Sequence, residues 1–477
     1  MELPPDPNHR YGMEAIALNA LWLLPILAAG IALFLPRRSL MIFSLAHGIL
    51  QGLLWLLLYS LVKASEIALR VPWFSLGGQK FYYFISAHST NLALLLLTVI
   101  VGHASLLYGQ LYVAQVQGFS ALLFLVMGFS QGVFLAQDIL LFFVFYEAAL
   151  VPAFLLIYGW GSPRRRSAAV KFALFTLSGS VVFLVGLLLS LHEVPIEAGE
   201  VWLPSRLSSL SWLLMSIGLA VKLPLIPLHS WLGEAHVEAD TALSMMLAGI
   251  LLKLGGYALL HWVWTAPTAD QALGLRIIGS ISLIYAAAVA TGQSDLKSMI
   301  AFTSIGHMAM VAIGAGAQSI YGLQGAYHQL FTHGIISAGL FAWVGWIEKS
   351  FQTRQIKELS GALSYSNWKP FQAALLSFSA IGAPGTALFI SELMIIWGVA
   401  RGTTWAWALL PAAGIVLTAV YFLRAYRRLA APSHSSPRLS GSPSPFLQLI
   451  VWVFIGLSMA VGIYPKIWLE LLTHVGG

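Results

Sequence analysis

Cysteine is missing from the 477-residue chain, so disulfides, thiolate zinc sites and cysteine-ligated iron–sulfur clusters are excluded. Any redox chemistry coupled to this protein must have its centres in other chains. Charge is scarce as well: 9% of the residues are Asp, Glu, Lys or Arg, where a soluble domain carries about 25%. No GxGxxG follows a strand pattern and no GxxxxGK[ST] occurs, so nothing resembles a dinucleotide or phosphate loop. The N-terminus places acidic residues and prolines ahead of its first apolar run. It lacks the basic start of a cleaved signal, which predicts a retained first helix.

What the chain does have is hydrophobic length, with 58% apolar residues. Runs of about 20 such residues suffice to cross a bilayer as a helix, and they recur with only short polar joints between them. The runs lack the alternation of barrel strands, so helices are the means of satisfying the backbone in hydrocarbon. Fourteen spans are predicted. Three precede residue 112, and a fourteenth follows the Ser/Pro-rich connection at 431–445, which reads as mobile. Between them lie 113–135, 138–160, 168–190, 211–232 and 241–262, then 274–291, 298–317, 321–347, 370–400 and 404–426. The predicted organisation is therefore 1–112, 113–265, 266–430 and 431–477.

The net charge of +7 is explained by topology, not by nucleic acid, because basic patches interleaved with aromatics on a soluble face are absent. Alternating the loops puts fifteen Lys and Arg on one side and eight on the other. The richer side faces the cytoplasm, and both termini fall opposite. An error of one span would scramble this asymmetry.

Four charges remain inside spans: Glu147, Lys222, Lys253 and Glu392. Each costs roughly 2.5–3.5 kcal/mol on insertion scales, so four unpaired ones would rival the ~5–15 kcal/mol stability of a whole domain. They must be paired, hydrated or titrated, and burial changes such groups' proton affinity by up to ~3–5 pKa units. The bland alternative is a set of ion pairs that fix helix register. Against it, Glu147 and Lys253 sit mid-span with no short snorkelling route. Lys222 is followed by Pro224 and Pro227, and Glu392 follows Ala-Pro-Gly at 383–385. Proline breaks helices, and paired broken helices in two halves of a transporter point to its ion path. If spans 4–8 and 9–13 are five-helix repeats, the breaks fall in spans 7 and 12, the same place in each. An odd number of spans inverts the second repeat.

Histidine titrates near pH 6.5 and can donate and accept, so His307, His328 and His333 are candidate relays between these charges. His229, His236 and His261 read more simply as interfacial. Two facing histidines could ligate haem, but no attachment cysteines or repeated pairing across four helices support it.

The stretches "FFVFYEAALVPAFLLIYGWG", "VKLPLIPLHSWLGEAHVEADTALSMMLAGILLKLGGYALL", "DLKSMIAFTSIGHMAMVAIGAG", "THGIISAGLF" and "GAPGTALFISEL" resemble the successive signatures of the antiporter-like membrane subunits of respiratory complex I. The resemblance covers roughly residues 90–425. It extends to multisubunit sodium/proton antiporters, membrane-bound hydrogenases and photosynthetic relatives of complex I. It implies an all-α integral membrane fold of about fourteen helices in two inverted five-helix repeats, with discontinuous helices 7 and 12. Carried over by motif, Glu147 and Lys222 match the pair of the input half-channel, and Lys253 matches the central lysine. His307 and His333 match the connecting axis, and Glu392 matches the acidic helix 12 residue of the M type (chain 4). Departures are His88 at an aspartate position, Gly233 and Asp240 at proline positions and Leu388 at a glycine position.

The resemblance further implies protons moving through these residues, driven by a redox reaction elsewhere. NAD(P)H or ferredoxin, iron–sulfur clusters and quinone then reside in partner subunits, with no cofactor in this chain. The expected partners are L-type and N-type antiporter-like chains, lipids and protons, and the expected location is a bacterial cytoplasmic or cyanobacterial thylakoid membrane. The rivals are a sodium/proton antiporter or hydrogenase subunit and a non-pumping structural subunit.

Overall fold

Backbone groups in a hydrocarbon environment need partners within their own segment, and the long apolar runs accordingly fold as helices. The computed structural model describes residues 11–62, 66–76, 79–193, 207–264, 267–365, 368–431 and 444–470. The Ser/Pro-rich connection expected to be mobile lies almost wholly outside the described residues, as does the start of the chain. Among the described residues twelve helical spans are long and apolar enough to cross a membrane. The chain is an integral membrane protein.

In order these are α1 (Tyr11–Ala32), α2 (Arg37–Val62), α3 (Ser89–Tyr112), α4 (Val116–Leu135) and α5 with α6 (Ile139–Ala148, Leu150–Trp160). Next come α7 (Arg165–Glu193), α8 (Ser209–Lys222), α9 (Ser230–Glu238), α10 (Thr241–Met246) and α11 (Leu252–Ala258). Then follow α12 (Ala269–Gly292), α13 (Leu296–Ala315), α14 (Ile320–Phe351), α15 (Trp368–Ile381) and α16 (Ala387–Gly402). The last are α17 (Trp405–Ala430), α18 (Pro445–Ile463) and α19 (Lys466–Glu470). The stretches Thr241–Val263 and Ile320–Phe351 are buried throughout the windows that identify them as spans, whereas the corresponding window of α2 is only 28% buried. The centre of the molecule is therefore α10, α11 and α14, with α2 turned toward lipid or a neighbour.

Two of the expected spans are interrupted where proline and glycine foretold it. α8 ends at Lys222, and α9 begins at Ser230 after Pro224 and Pro227. α15 ends at Ile381, and α16 begins at Ala387 after Gly382, Pro384 and Gly385. Two further irregularities were not anticipated, although Pro152 stands three residues past the first and Gly249 lies inside the second. The fifth span breaks between α5 and α6 at Ala149, and the Lys253 span contains π-helical turns at Leu247–Leu251 and Leu259–Val263.

A β-hairpin was not anticipated either. β1 (Ile67–Leu76) and β2 (Gln79–Ala87) pair antiparallel in a segment expected to be loop. It is fastened to the membrane helices by Asp138, the N-cap of α5. Oδ1 of that carboxylate accepts from the Leu140 and Leu141 amides, and Oδ2 accepts from the Tyr82 amide at 3.0 Å. The Gln137 amide donates to the Phe84 carbonyl at 2.8 Å.

The charge assignment also needs correction at two positions. Arg276 and Lys297, expected in loops or at span edges, are buried within α12 and α13. Arg276 donates to the Gly316 carbonyl and Lys297 to the Ala239 carbonyl.

Candidate functional site

The charges singled out from the sequence fall into two groups near the centre. In the first, Lys222 ends α8 and its Nζ lies 3.5 Å from Glu147 Oε1 of α5. The same ammonium donates to the Tyr146 carbonyl at 3.1 Å and sits 3.0 Å from the centre of the Tyr146 ring. That carbonyl lies at the end of α5, beside the helix break at Ala149. Glu147 also accepts from the Ser180 hydroxyl of α7. The lysine side chain is 6% exposed and the carboxylate 24%, so the pair is reached from the glutamate's side.

The second group is drier. Lys253 is fully buried; its Nζ donates to the Ala248 carbonyl and lies 2.7 Å from Nδ1 of His333 on α14. Ala248 stands five residues before the lysine, inside the π-helical turn. A π turn widens the helix and loosens its carbonyls, so the irregularity supplies the acceptor. His333 meets His307 of α13 edge to face, with ring centroids 5.2 Å apart. His307 Nε2 lies 3.8 Å from Glu392 Oε1 of α16, a distance too long for a hydrogen bond. Among the described residues Glu392 Oε2 and His307 Nε2 have no hydrogen-bond partner. The glutamate fits only because Gly382 faces it. A Cβ there would lie 2.0 Å from Glu392 Oε2, and its φ of +72° favours glycine.

Lys253, His333, His307 and Glu392 therefore form one row, while Glu147 and Lys222 form a separate pair. The two are joined by backbone: a Cβ on Gly255, two residues beyond Lys253, would stand 3.0 Å from Lys222 Cβ. No hydrogen bond between the two lysines is present among the described residues.

Other expected residues are placed differently. His328 is buried, with both ring nitrogens unpartnered among the described residues, and no contact joins its ring to the row. His261 stacks on Tyr257 and on His88, and His229 meets Tyr285. His236, read as interfacial, is wholly buried and stacks on Phe341 at 4.7 Å, with both nitrogens free. It lies within electrostatic range of both Lys253 and Lys297. Sequence reasoning missed Lys297 and also the polar rung Gln329–Ser391–Thr332, in which Ser391 donates to Gln329 Oε1 at 2.5 Å and lies 3.1 Å from Thr332 Oγ1. A polar face on α14 spaced at 329, 332 and 333 was the available signal.

Comparison with known proteins bears on the family and the fold. The family described as "NADH:quinone oxidoreductase/Mrp antiporter, TM" matches residues 136–418. NAD(P)H-quinone oxidoreductase chain 4 1 of Synechococcus sp. (strain JA-3-3Ab) is 34% identical over 486 residues, covering 94% of this chain and 90% of the relative. NADH-quinone oxidoreductase subunit M of Rickettsia prowazekii (strain Madrid E) is 38% identical over 312 residues, 62% of each chain. Among solved structures, a chain of respiratory complex I from Thermus thermophilus with bound NADH superposes with a TM-score of 0.83 at 25% identity, covering 96% of this chain and 98% of that one. A chain of the Mrp complex from Dietzia sp. DQ12-45-1b shares the fold, with a TM-score of 0.83 at 18% identity and coverage of 97% and 96%. With more than half its length matched, and with a relative at 34% identity along nearly all of it, the chain belongs to the NADH:quinone oxidoreductase/Mrp antiporter transmembrane family.

Proposed function

We propose that this chain is the M-type (chain 4) proton-translocating membrane subunit of a complex I-type NAD(P)H or ferredoxin:quinone oxidoreductase. One observation carries the reading: the row Lys253–His333–His307–Glu392, with the Glu147–Lys222 pair beside it, made of ionisable groups buried within the membrane-spanning segments. Such groups are expensive there and are retained for transport. Support also comes from relatives named as chain 4 and subunit M of quinone oxidoreductases.

In this reading Glu147 holds Lys222 charged in one state. Release of the pair lets the lysine's proton pass through intervening water to Lys253, then by His333 and His307 to Glu392 and the far side. The chain takes no part in electron transfer: without cysteine it offers no thiolate ligands. Nucleotide or ferredoxin, iron–sulfur clusters and quinone belong to partner subunits, among them L-type and N-type antiporter-like chains. Counting each interrupted pair as one crossing gives fourteen spans. These divide into 1–112, two inverted repeats at 113–265 and 266–430, and 431–477, with both termini opposite the cytoplasm of a bacterial or thylakoid membrane.

The test is redox-driven proton pumping by the assembled complex in proteoliposomes after Glu147→Gln or Lys222→Ala. Loss of pumping with the complex intact is expected. Full pumping removes this pair from the route, and transport that follows sodium without a redox substrate assigns the chain to the antiporter branch.

A further inference from the structure

A second polar seam runs through the first four helices, sharing no residue with the row above. Ser44, His47 and Gln51 occupy one face of α2 at spacings of three and four residues, and all three are buried. At 1.5 Å per residue they mark about 10 Å of membrane depth. Each meets a buried polar partner. Gln110 of α3 donates to the Ser44 hydroxyl at 2.7 Å, and Gln131 of α4 donates to Gln51 Oε1 at 3.1 Å. His47 Nδ1 lies 2.9 Å from His103 Nε2. Gln51 donates in turn to the Leu21 carbonyl at 3.1 Å. Pro25 cannot bond that carbonyl, which lies four residues before it in α1. Just beyond, Trp22 donates to the Tyr83 hydroxyl and Tyr83 to Asn19, which carries the seam to the hairpin.

The network fixes the histidine protons. His103 Nδ1 lies 2.7 Å from the Val99 carbonyl, which can only accept. His103 Nε2 is then the acceptor in the neutral ring, and His47 Nδ1–H donates to it. That leaves His47 Nε2 as a bare lone pair. The backbone of Leu24 lies close to this ring, yet Nε2 makes no bond of hydrogen-bond geometry. Gln110 Oε1 and Gln131 Oε1 are buried and unpartnered along the same seam. Buried polar atoms in such a row are satisfied by ordered water.

We propose that these helices hold a second proton file, lined by Ser44, His47, Gln51, His103, Gln110 and Gln131 with bound water, and gated by the His47–His103 contact. A proton arriving at His47 Nε2 displaces the Nδ1 proton to His103 Nε2, leaving His103 a cation. That cation has no base at Nδ1, because the Val99 carbonyl accepts a hydrogen bond but no proton, so the proton returns to His47 and the resting file does not leak. The gate is tightly fitted: Gly48 lets the His103 ring lie against α2, where a Cβ would come within 2.8 Å of its Cδ2.

The experiment uses the assembled complex in proteoliposomes without redox substrate, with an imposed pH step and passive proton flux as the readout. His103→Ala opens the gate to water and raises the flux several-fold, and adding His47→Phe returns it to the wild-type value. Glu147→Gln lowers any flux by the first route but leaves the increment that His103→Ala adds, measured against Glu147→Gln alone; abolition of that increment overturns the separation of the two routes. Wild-type flux in an assembled His103→Ala complex overturns the gate. If the variants do not assemble, a high-resolution map of the wild-type complex decides. Water against His47 Nε2 and Gln131 Oε1 supports the file, and apolar contacts at both atoms overturn it.

Discussion

Alanine at Gly382 and alanine at Gly385 separate backbone strain from the chemistry of Glu392. Both glycines sit in the α15–α16 break at positive φ, +72° and +89°. A side chain at either position pays for the left-handed conformation, about 1–2 kcal/mol per residue. Their surroundings differ. Nothing lies within 4 Å of a Cβ at Gly385, whereas at Gly382 it would meet Glu392 Oε2 at 2.0 Å, well inside the 3.4 Å where ordinary contact begins. The carboxylate must swing away, and its 3.8 Å approach to His307 cannot survive a shift of that size. Both variants are expected to lose stability to the backbone strain, and Gly382→Ala more, because it also displaces a buried carboxylate, read as the larger fall in the thermal midpoint of the purified complex. Gly382→Ala alone is expected to lower redox-driven pumping at least tenfold, which corresponds to about 1.4 kcal/mol on the barrier. Equal pumping by the two variants would falsify the assignment of Glu392 to the route, since the break would then tolerate the clash by moving backbone and the carboxylate would be idle.

Three further outcomes follow from the same contacts. A double-mutant cycle of Glu147→Gln and Lys222→Met on complex stability should give a coupling of about 2–3 kcal/mol, at or below the low end for a buried pair because the carboxylate side chain is 24% exposed; additive effects would deny the pair. Asp138→Ala removes the cap shared by α5 and the hairpin and should cost about 1–2 kcal/mol, with Asp138→Asn restoring most of it; hydrogen exchange across 79–87 reads the loosening, and unchanged protection would detach the hairpin from that cap. Arg354 lies 2.8 Å from Asp295 and donates to the Val237 carbonyl at 3.1 Å, with both charged side chains 16% exposed. Arg354→Met should cost about 2–4 kcal/mol and leave pumping per assembled complex unchanged; a selective loss of pumping would place this ion pair on the proton route.

The legible parts of this molecule were those where a residue contradicts its neighbours. Glu147, Lys222, Lys253 and Glu392 stand out because a charge in an apolar run is costly, and the breaks after Lys222 and before Glu392 stand out because proline cannot continue a helix. Lys297 did not stand out: it follows Asp295 in the polar joint "GQSDLKSM" and reads as loop, although the fold draws it inward against the Ala239 carbonyl. His236 was hidden for the same reason in "GEAHVEAD", because its burial depends on Phe341, more than a hundred residues away. The hairpin carried a signal that was passed over, a run of aromatic and β-branched residues from Phe81 to Ile85. The π turns around Lys253 had only a weak one, since the glycines in "MMLAGILLKLGG" lower helix propensity without specifying a wider turn. His47 and His103 are lone histidines on different helices, and only the fold makes them a pair.

The three buried lysines share a feature that bears on how they could carry protons. Lys222 donates to the Tyr146 carbonyl, Lys253 to the Ala248 carbonyl and Lys297 to the Ala239 carbonyl. Each of these carbonyls lies where a helix is irregular: at the α5–α6 break, in a π turn, and at the joint between α9 and α10. A regular helix spends its carbonyls on its own amides, so irregularity is what makes an acceptor available at depth. A carbonyl differs from a carboxylate in one respect that matters here. It accepts a hydrogen bond from –NH3+ and, more weakly, from –NH2, and it takes no proton itself. A lysine anchored in this way keeps its position whether charged or neutral; in the proposed route Glu147 holds Lys222 charged until the pair opens, and His333 takes the proton from Lys253. A lysine tied only to a carboxylate would lose its anchor on deprotonation. The helix defects and the buried charges are then one arrangement: the defect fixes the amine, and the titratable neighbour decides its charge.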